Sequence, residues 1–308
     1  SENDIEQSIA QVYIQILYAA ESVKVNENTL QVSEAQRDRG KQLLDAGSIA
    51  RSDYAQLEAQ VSTDRYQLVT AQATLQDYKL QLKQLLELDG EQEMQVYLPA
   101  LGDENVLSPL PTKTDVFRSA VALRPEIEAS KLSVEASELG IGIAKSGYLP
   151  SVSLTAGIGT NHTSGSDFTF GEQVKNGWNN SIGLSISVPI FNNRQTKSAV
   201  EKAKLQYQTS QLTLLDEQKT LYKTIEGLWL DANSAQQRYA AAIEKLHSTQ
   251  TSYELVSEQF NAGMKNTVEL LTEKNNLLQA QQELLQSKYM AILNTQLLKF
   301  YQGDKITL

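Results

Sequence analysis

Side chains able to do chemistry are few in this chain, and their spacing does not favour catalysis. His162 and His247 lie about 85 residues apart, with no cysteine and no His-Glu-x-x-His beside either, so the usual zinc-ligand spacings are missing. Serine, histidine and aspartate all occur, but nothing suggests a nucleophile, its base and an orienting acid. Gly140-Ile141-Gly142 and Gly157-Ile158-Gly159 begin like dinucleotide loops. Neither completes Gly-x-Gly-x-x-Gly between a strand and a helix. What remains is a pair of carboxylates placed alike: Asp53 follows Gly47 by six positions, and Glu269 follows Gly263 by six. A carboxylate just after a turn favours the positive end of the next helix dipole, whatever else it does. No catalytic residue, cofactor or metal site is expected, and the chain is not read as an enzyme.

The composition narrows the classes further. Lys plus Arg number 27 and Asp plus Glu 37, a net charge of −10. The basic face that neutralises phosphates is lacking, so nucleic acid is not an expected partner. The chain has no cysteine, which excludes disulfides, Cys-based zinc sites, thiol catalysis and a lipid-modified cysteine within it. Sixteen glycines and six prolines in 308 residues are about 7%, against roughly 12% in ordinary proteins. Few turn residues and much Gln, Ala, Leu, Glu and Lys point to long helices. No stretch of about 18 apolar residues exists, so no transmembrane helix is expected. The opening SENDIEQSIA has no basic region or apolar core and does not read as a signal peptide.

The elements that must position the two carboxylates follow from apolar periodicity. Ile9, Ile16, Val23 and Leu30 are seven apart, beside a second row of Ile5, Val12 and Ala19. After Gly47 come Tyr54, Val61, Leu68, Leu75 and Leu82, with Leu57, Ala71, Tyr78 and Leu85 alongside. A sustained period of seven predicts a left-handed coiled coil, and Gly47 suits a left-handed helix cap. Residues 5–87 therefore read as an antiparallel helical hairpin. Asp89-Gly90, Pro99, Gly102, Pro109 and Pro111 then mark a connector. A short helix is expected over 115–123, and another starts at Pro125 and runs to about Gly147, where Tyr148-Leu149-Pro150 ends it. Heptads return from Gln195 (Val200, Tyr207, Leu214, Leu221, Leu228) to about Phe260. Asn261-Ala262-Gly263 turns the chain. A last arm (Leu270, Leu277, Leu284, Ala291, Leu298) stops near Gln302-Gly303.

Between these helical stretches the period changes from seven to two. Val152, Leu154, Ala156 and Ile158 alternate with small or polar residues over 151–159. Ile182, Leu184, Ile186, Val188 and Ile190 do the same over 182–190. Two strands are predicted, joined by a polar segment, 160–180, that holds His162, Phe168, Phe170 and Trp178. Nine-residue strands with one apolar and one small-polar face fit the wall of a membrane β-barrel. The competing reading is a hairpin packed on a helix, although two strands alone are marginal in water. One hairpin cannot close a barrel, and open edges are not tolerated in lipid, so several copies must contribute strands.

The two helical hairpins match each other, which suggests duplication. A helix and a strand pair precede the second hairpin, and a corresponding helix and strand pair are expected before the first. The domain organisation reads as 1–88 first-repeat helical hairpin, 89–124 connector with a short helix, 125–148 helix, 149–191 β-hairpin, 192–303 second-repeat helical hairpin and 304–308 tail.

Four groups of residues in this order resemble the TolC-type outer-membrane efflux proteins: Leu123-Arg124-Pro125-Glu126-Ile127, Tyr148-Leu149-Pro150-Ser151-Val152, Val188-Pro189-Ile190-Phe191-Asn192, and Phe260-x-x-Gly263 followed by Val268-Glu269-Leu270-Leu271. The resemblance covers nearly the whole chain. It implies a mainly α protein: long antiparallel coiled-coil helical hairpins, with one β-hairpin contributed to an oligomeric membrane β-barrel. It implies a homotrimer in the bacterial outer membrane, each protomer giving four strands, with helices extending into the periplasm as a tunnel. It implies as partners the lipid bilayer, a periplasmic adaptor (membrane fusion) protein and an inner-membrane transporter. The implied function is passive export, without catalysis, in a tripartite efflux or type I secretion system.

The resemblance also places a gating and selectivity region at the two turns. Matched by motif, its residues here are Ser52 and Asp53 on the first turn, and Phe260, Lys265, Glu269 and Thr272 on the second. Phe260 stands where the family's best-known member has tyrosine, Lys265 where it has arginine, and Thr272 where it has an acid. An ion pair between Lys265 and Asp53 is one expectation, and a cation-favouring ring of Glu269 carboxylates from three subunits is another. The plainer readings are helix-start charge for Asp53 and Glu269, a solvated turn residue for Lys265 and coil packing for Phe260. The barrel-wall residues would be Val152, Leu154, Ile158, Ile182, Leu184, Ile186 and Val188. Phe168, Phe170 and Trp178 form an aromatic girdle or pack the loop. The rival class is a soluble periplasmic coiled-coil protein, structural or an adaptor; it has no need of alternating strands, and an adaptor would carry one hairpin.

Overall fold

The computed structural model describes residues 2–88, 94–99, 102, 106–165 and 167–306, which form two compact units. Unit 1 comprises Ser1–Leu123 with Leu221–Leu308, and unit 2 comprises Arg124–Thr220. In chain order the elements are α1 (Glu2–Asp45), α2 (Arg51–Leu85), α3 (Lys113–Leu123), α4 (Pro125–Ser146), β1 (Ser151–Gly159), α5 (Phe170–Asn176), β2 (Asn179–Ser187), α6 (Gln195–Asn261) and α7 (Thr267–Gln302). The expected break at Asp89 and Gly90 and the last two residues of the tail lie outside the described residues.

In unit 1, α1 and α2 pair antiparallel, as do α7 and the part of α6 within the unit. Both turns are built the same way. Gly47 and Gly263 have φ of 72° and 73°, a left-handed conformation that glycine enters without the clash a Cβ brings. Ser48 N–H reaches back to Leu43 O at 2.8 Å, and Met264 N–H to Gln259 O at 2.8 Å. These Schellman-type bonds satisfy carbonyls that the helix ends would orphan. Gly40 allows close approach of α1 to α2: a Cβ there would lie 2.3 Å from Leu57 Cδ1.

Among the described residues, two apolar clusters anchor the helices of unit 1. One joins Ile14 and Leu17 of α1 to Ala235 and Tyr239 of α6 and to Tyr289, Ile292 and Leu297 of α7. The Tyr289 hydroxyl is buried there, which pushes its pKa up to about 12, and its ring meets Tyr18 edge-on. The other cluster, near the turns, joins Leu57 of α2, Phe260 of α6 and Leu270 of α7. The connector is strapped down by polar contacts. Gln236 Nε2 donates to Val106 O and Ser108 O, both at 2.8 Å. Trp229 Nε1 donates to Pro111 O at 3.0 Å. Lys113 sits 4.9 Å above the Trp229 ring and pairs with Glu226 at 2.9 Å.

In unit 2, Pro125 stands in the first turn of α4, where its missing N–H costs nothing. Glu126 and Glu128 share that turn and complement the positive end of the helix dipole. Ser137 of α4 and Ser210 of α6 bond through their hydroxyls at 2.8 Å. β1 and β2 form an antiparallel ribbon.

The mainly helical architecture matches the reading from heptads and alternation, with two differences around the ribbon. The second strand occupies 179–187, not 182–190. Pro189 lacks an amide N–H and restricts Val188 before it, so the ladder stops at Ser187. Val188 therefore lies one residue past β2 and is no part of the paired wall. The segment 160–180 is also not wholly irregular, because α5 forms within it. Glu172 accepts from Thr169 N–H at 2.9 Å, a capping arrangement whose Thr-x-x-Glu signature stands in the sequence.

Replacing Gln236 with alanine would leave two connector carbonyls without their donor. A loss of about 1–3 kcal/mol is expected, read as a lower urea midpoint at unchanged slope.

Candidate functional site

The ribbon separates its side chains by face. Val152 stands opposite Ile186, Leu154 opposite Leu184 and Ala156 opposite Ile182. Ser151, Ser153, Thr155 and Gly157 stand opposite Ser187, Ser185, Gly183 and Ser181. Register therefore pairs apolar with apolar and small-polar with small-polar, as the two-residue period requires. The polar face is cut close: a Cβ at Gly157 would lie 3.0 Å from Ser181 Oγ, and one at Gly183 would lie 3.0 Å from Thr155 Oγ1. Val152, Leu154, Ile158, Ile182, Leu184 and Ile186 are between 64% and 85% exposed, so within the described residues the apolar face has no cover. Phe168, Phe170 and Trp178 are exposed too, and Phe170 meets the His162 ring edge-on at 5.3 Å.

At the turns, the acids serve their own helices. Asp53 accepts from Ala50 N–H at 3.2 Å. Glu269 accepts from Asn266 N–H at 3.2 Å, while Asn266 Oδ1 accepts from Glu269 N–H at 2.9 Å. This reciprocal capping box satisfies two amides that the start of α7 would otherwise leave open. Lys265 donates to Glu269 at 2.5 Å. Within this chain Lys265 pairs with Glu269, four residues on, and not with Asp53: Lys265 sits just before the Asn266 cap and Glu269 in the first turn of α7, so the two lie close along the chain. The Lys265 ammonium, helped by Asn266 N–H, holds the Glu269 carboxyl below the usual glutamate value. Ser52 and Thr272 are exposed, and Thr272 bonds back to Val268 O at 2.8 Å. Phe260 is only 3% exposed and fills the contact with Leu57 and Leu270, so its ring packs the coil.

Reasoning from heptads passed over a buried polar cluster. Lys274 of α7 donates to Asp64 of α2 and to Ser33 of α1, and Ser33 donates to the same Asp64 oxygen. Gln60 Nε2 holds the other Asp64 oxygen at 2.9 Å. The Lys274 and Asp64 side chains are only 4% and 3% exposed. Burial lowers the lysine's pKa, and the bond to Asp64 opposes that shift. The signal was present in the spacing. Asp64 fills the gap in the row Leu57, Ala71, Tyr78, Leu85, and Ser33 continues the row Ile5, Val12, Ala19, Asn26.

Among the described residues, no helix is long and apolar enough to cross a membrane, and no cluster of three or more His, Cys, Asp or Glu is placed to hold a metal.

Paired coiled-coil hairpins and an exposed amphipathic ribbon on one chain define a recognisable class. The chain belongs to the outer membrane efflux protein family, whose model matches residues 116–303. It is similar to the outer membrane protein TolC of Escherichia coli (strain K12), 26% identical over 298 residues that cover 92% of this chain and 58% of that protein. It is 24% identical to the outer membrane efflux protein BepC of Brucella suis over 294 residues, 95% of this chain and 61% of that protein. The chain spans about 60% of the length of the curated relatives it matches. In fold it resembles the solved structure of CusC, with a TM-score of 0.81 at 20% identity, covering 97% of this chain and 68% of that one. VceC from Vibrio cholerae gives 0.78 at 18%, covering 99% and 71%.

Because the folded pKa of Glu269 lies below the ordinary 4.5, its cap stabilises the chain above that value and is lost as pH falls through the lower folded value. The Glu269 carboxyl signal in an NMR titration should move below 4.5, and Lys265→Gln should return it toward that value.

Proposed function

We propose that the chain is part of the outer-membrane exit channel of a tripartite efflux or type I secretion system, and that it conducts exported compounds passively and catalyses nothing. The observation that carries this reading is the β1–β2 ribbon, with one apolar face wholly exposed and the other lined by serine, threonine and glycine. In water such a face is a liability. In a barrel it is the lipid-facing wall, and the small polar face lines the lumen. The ribbon has two open edges, and neither survives in lipid unpaired, so protomers must share one barrel. A homotrimer in the bacterial outer membrane is the assembly proposed, with residues 149–191 in the bilayer. The hairpins over 1–88 and 192–303 extend as a periplasmic tunnel toward an adaptor protein and an inner-membrane transporter. The names of relatives span both kinds of export, an alkaline protease secretion protein from Pseudomonas aeruginosa and a probable efflux pump outer membrane protein from Pseudomonas putida.

The turns would form the narrow end, where Ser52, Asp53, Phe260, Lys265, Glu269 and Thr272 act as the gating and selectivity region. Three Glu269 carboxylates would favour cations there, but each is already paired with Lys265. The net field of the ring is therefore weaker than three bare acids would give. A soluble structural or adaptor coiled coil would leave the ribbon's apolar face without a use.

Two measurements test this reading. A charge at the bilayer midplane on the lipid face costs roughly 2–4 kcal/mol. Leu184→Arg should therefore reduce the membrane-inserted fraction of the full-length protein, while Ser185→Arg on the other face should not. In planar bilayers, Lys265→Gln should strengthen cation preference, and Glu269→Gln should weaken it by leaving the lysine unopposed. Ion selectivity unmoved by either substitution would remove Glu269 from the pore.

A further inference from the structure

We propose that the Lys274–Asp64–Ser33 cluster is a register clamp: it fixes how far the second hairpin stands along the first, and the hairpins cannot slide or part at this level without breaking it. The three groups come from three helices, Lys274 from α7 in one hairpin, and Asp64 and Ser33 from α2 and α1 in the other. By contrast, the Arg65–Glu34 pair at 3.0 Å and the Lys245–Glu283 pair at 2.7 Å each stay inside one hairpin, and their side chains are exposed. Exposed pairs of that kind hold little. A buried pair is different. Its net worth against apolar packing is small, but breaking it strands a charge away from water.

The need for a clamp comes from the seam itself. α7 carries leucine pairs at 270–271, 277–278 and 284–285, repeating every seven residues. A slide by one heptad matches leucine to leucine again, so apolar contact alone barely distinguishes the registers. A slide by one helical turn, about 5.4 Å, would bring Leu270 or Leu278 toward Asp64 in place of Lys274. The carboxylate would then be buried without its cation. Gln60 and Ser33 supply hydrogen bonds but no charge. A polar residue buried in an apolar seam is a device by which coiled coils select one register; the bond from Gln36 Nε2 to the Tyr253 hydroxyl at 2.7 Å is a second, uncharged polar contact between the hairpins. Here the clamp acts between hairpins, through residues other than those that the family resemblance points to.

The structural part of this proposal stands on the contacts alone, and its bearing on conduction rests on the channel reading. These 308 residues hold no cysteine, so spin labels on Ala46→Cys and Ala262→Cys, both exposed turn positions, report one inter-hairpin distance in detergent when labelled full-length protomers, with any cysteine elsewhere replaced, are diluted into an excess of unlabelled ones so that each assembly carries one labelled pair. The parent should give one narrow distance. Lys274→Met and Asp64→Asn should each add a second, longer population. The double variant Lys274→Met, Asp64→Leu should recover the parent's melting temperature yet keep a broad distribution, since packing is restored and register is not. Ser33→Ala strands no charge and serves if the others fail to fold; a small second population is expected. A narrow, parent-like distance in Ser33→Ala and in every variant that folds, or in the double variant alone, would overturn the clamp. In bilayers the single variants should open more often. A broadened distance without any conductance, in parent or variant, keeps the clamp and removes the channel reading.

Discussion

A strand ladder with two free edges and an uncovered apolar face is the constraint on which the rest of this molecule depends. Within the ribbon, each residue of β1 has a partner in β2. Among the described residues, no third strand pairs with the outer row of N–H and C=O groups on either side. Water would satisfy those edges but not the apolar face; lipid would satisfy the face but not the edges. Both demands are met together only when further strands continue the ladder until it closes. That is a requirement for assembly written into nine residues of each strand, and it does not depend on how the helices pack. The glycines at 157 and 183 add to it, because they keep the polar face shallow beside Ser181 and Thr155.

The helical hairpins answer a different need. Very long helices gain little from propensity alone and depend on an apolar stripe that finds a partner. The stripes here are continuous enough to pair, and repetitive enough to pair wrongly. The structure resolves this with two kinds of contact. Phe260, Leu57 and Leu270 supply adhesion close to the turns, while Lys274, Asp64 and Ser33 supply discrimination. Neither suffices alone. Adhesion without discrimination slides, and a buried ion pair without surrounding apolar packing would be wetted and weak.

Much of this was legible in the sequence, and what was missed has physical causes. Heptads and alternation locate long helices and strands because burial imposes its period on residue type, and Gly47 and Gly263 mark both turns because a left-handed cap excludes most other residues. The end of β2 was placed three residues late because alternation continues through Val188 and Ile190, while Pro189 cannot join a ladder. α5 was missed because a helix of two turns shows no period, although Thr169 and Glu172 signalled its start. At the turns, motif correspondence suggested Lys265 facing Asp53. Within the chain Lys265 meets Glu269 instead, since a lysine just before a helix cap reaches a glutamate in that helix's first turn at less entropic cost than it reaches another hairpin. Asp64 and Lys274 escaped notice because a search for apolar periodicity treats a polar residue in the seam as a gap.

The two turns show how one scaffold accepts different chemistry. Their backbones are nearly superimposable in conformation, with the same glycine, the same Schellman bond and an acid at the same helix position. They diverge in what stands beside the acid. Ala50 precedes Asp53 and offers only its amide, whereas Asn266 and Lys265 surround Glu269 with a side-chain cap and a cation. Glu269 therefore has a cation bonded to it, whereas the contact made by Asp53 is to the Ala50 amide. If the turns line a pore, the second hairpin supplies a pair whose effect depends on whether Lys265 stays folded onto its partner. Electrostatic control would then reside in a lysine side chain with several rotatable bonds, which can change the local field without any movement of the helices that carry it.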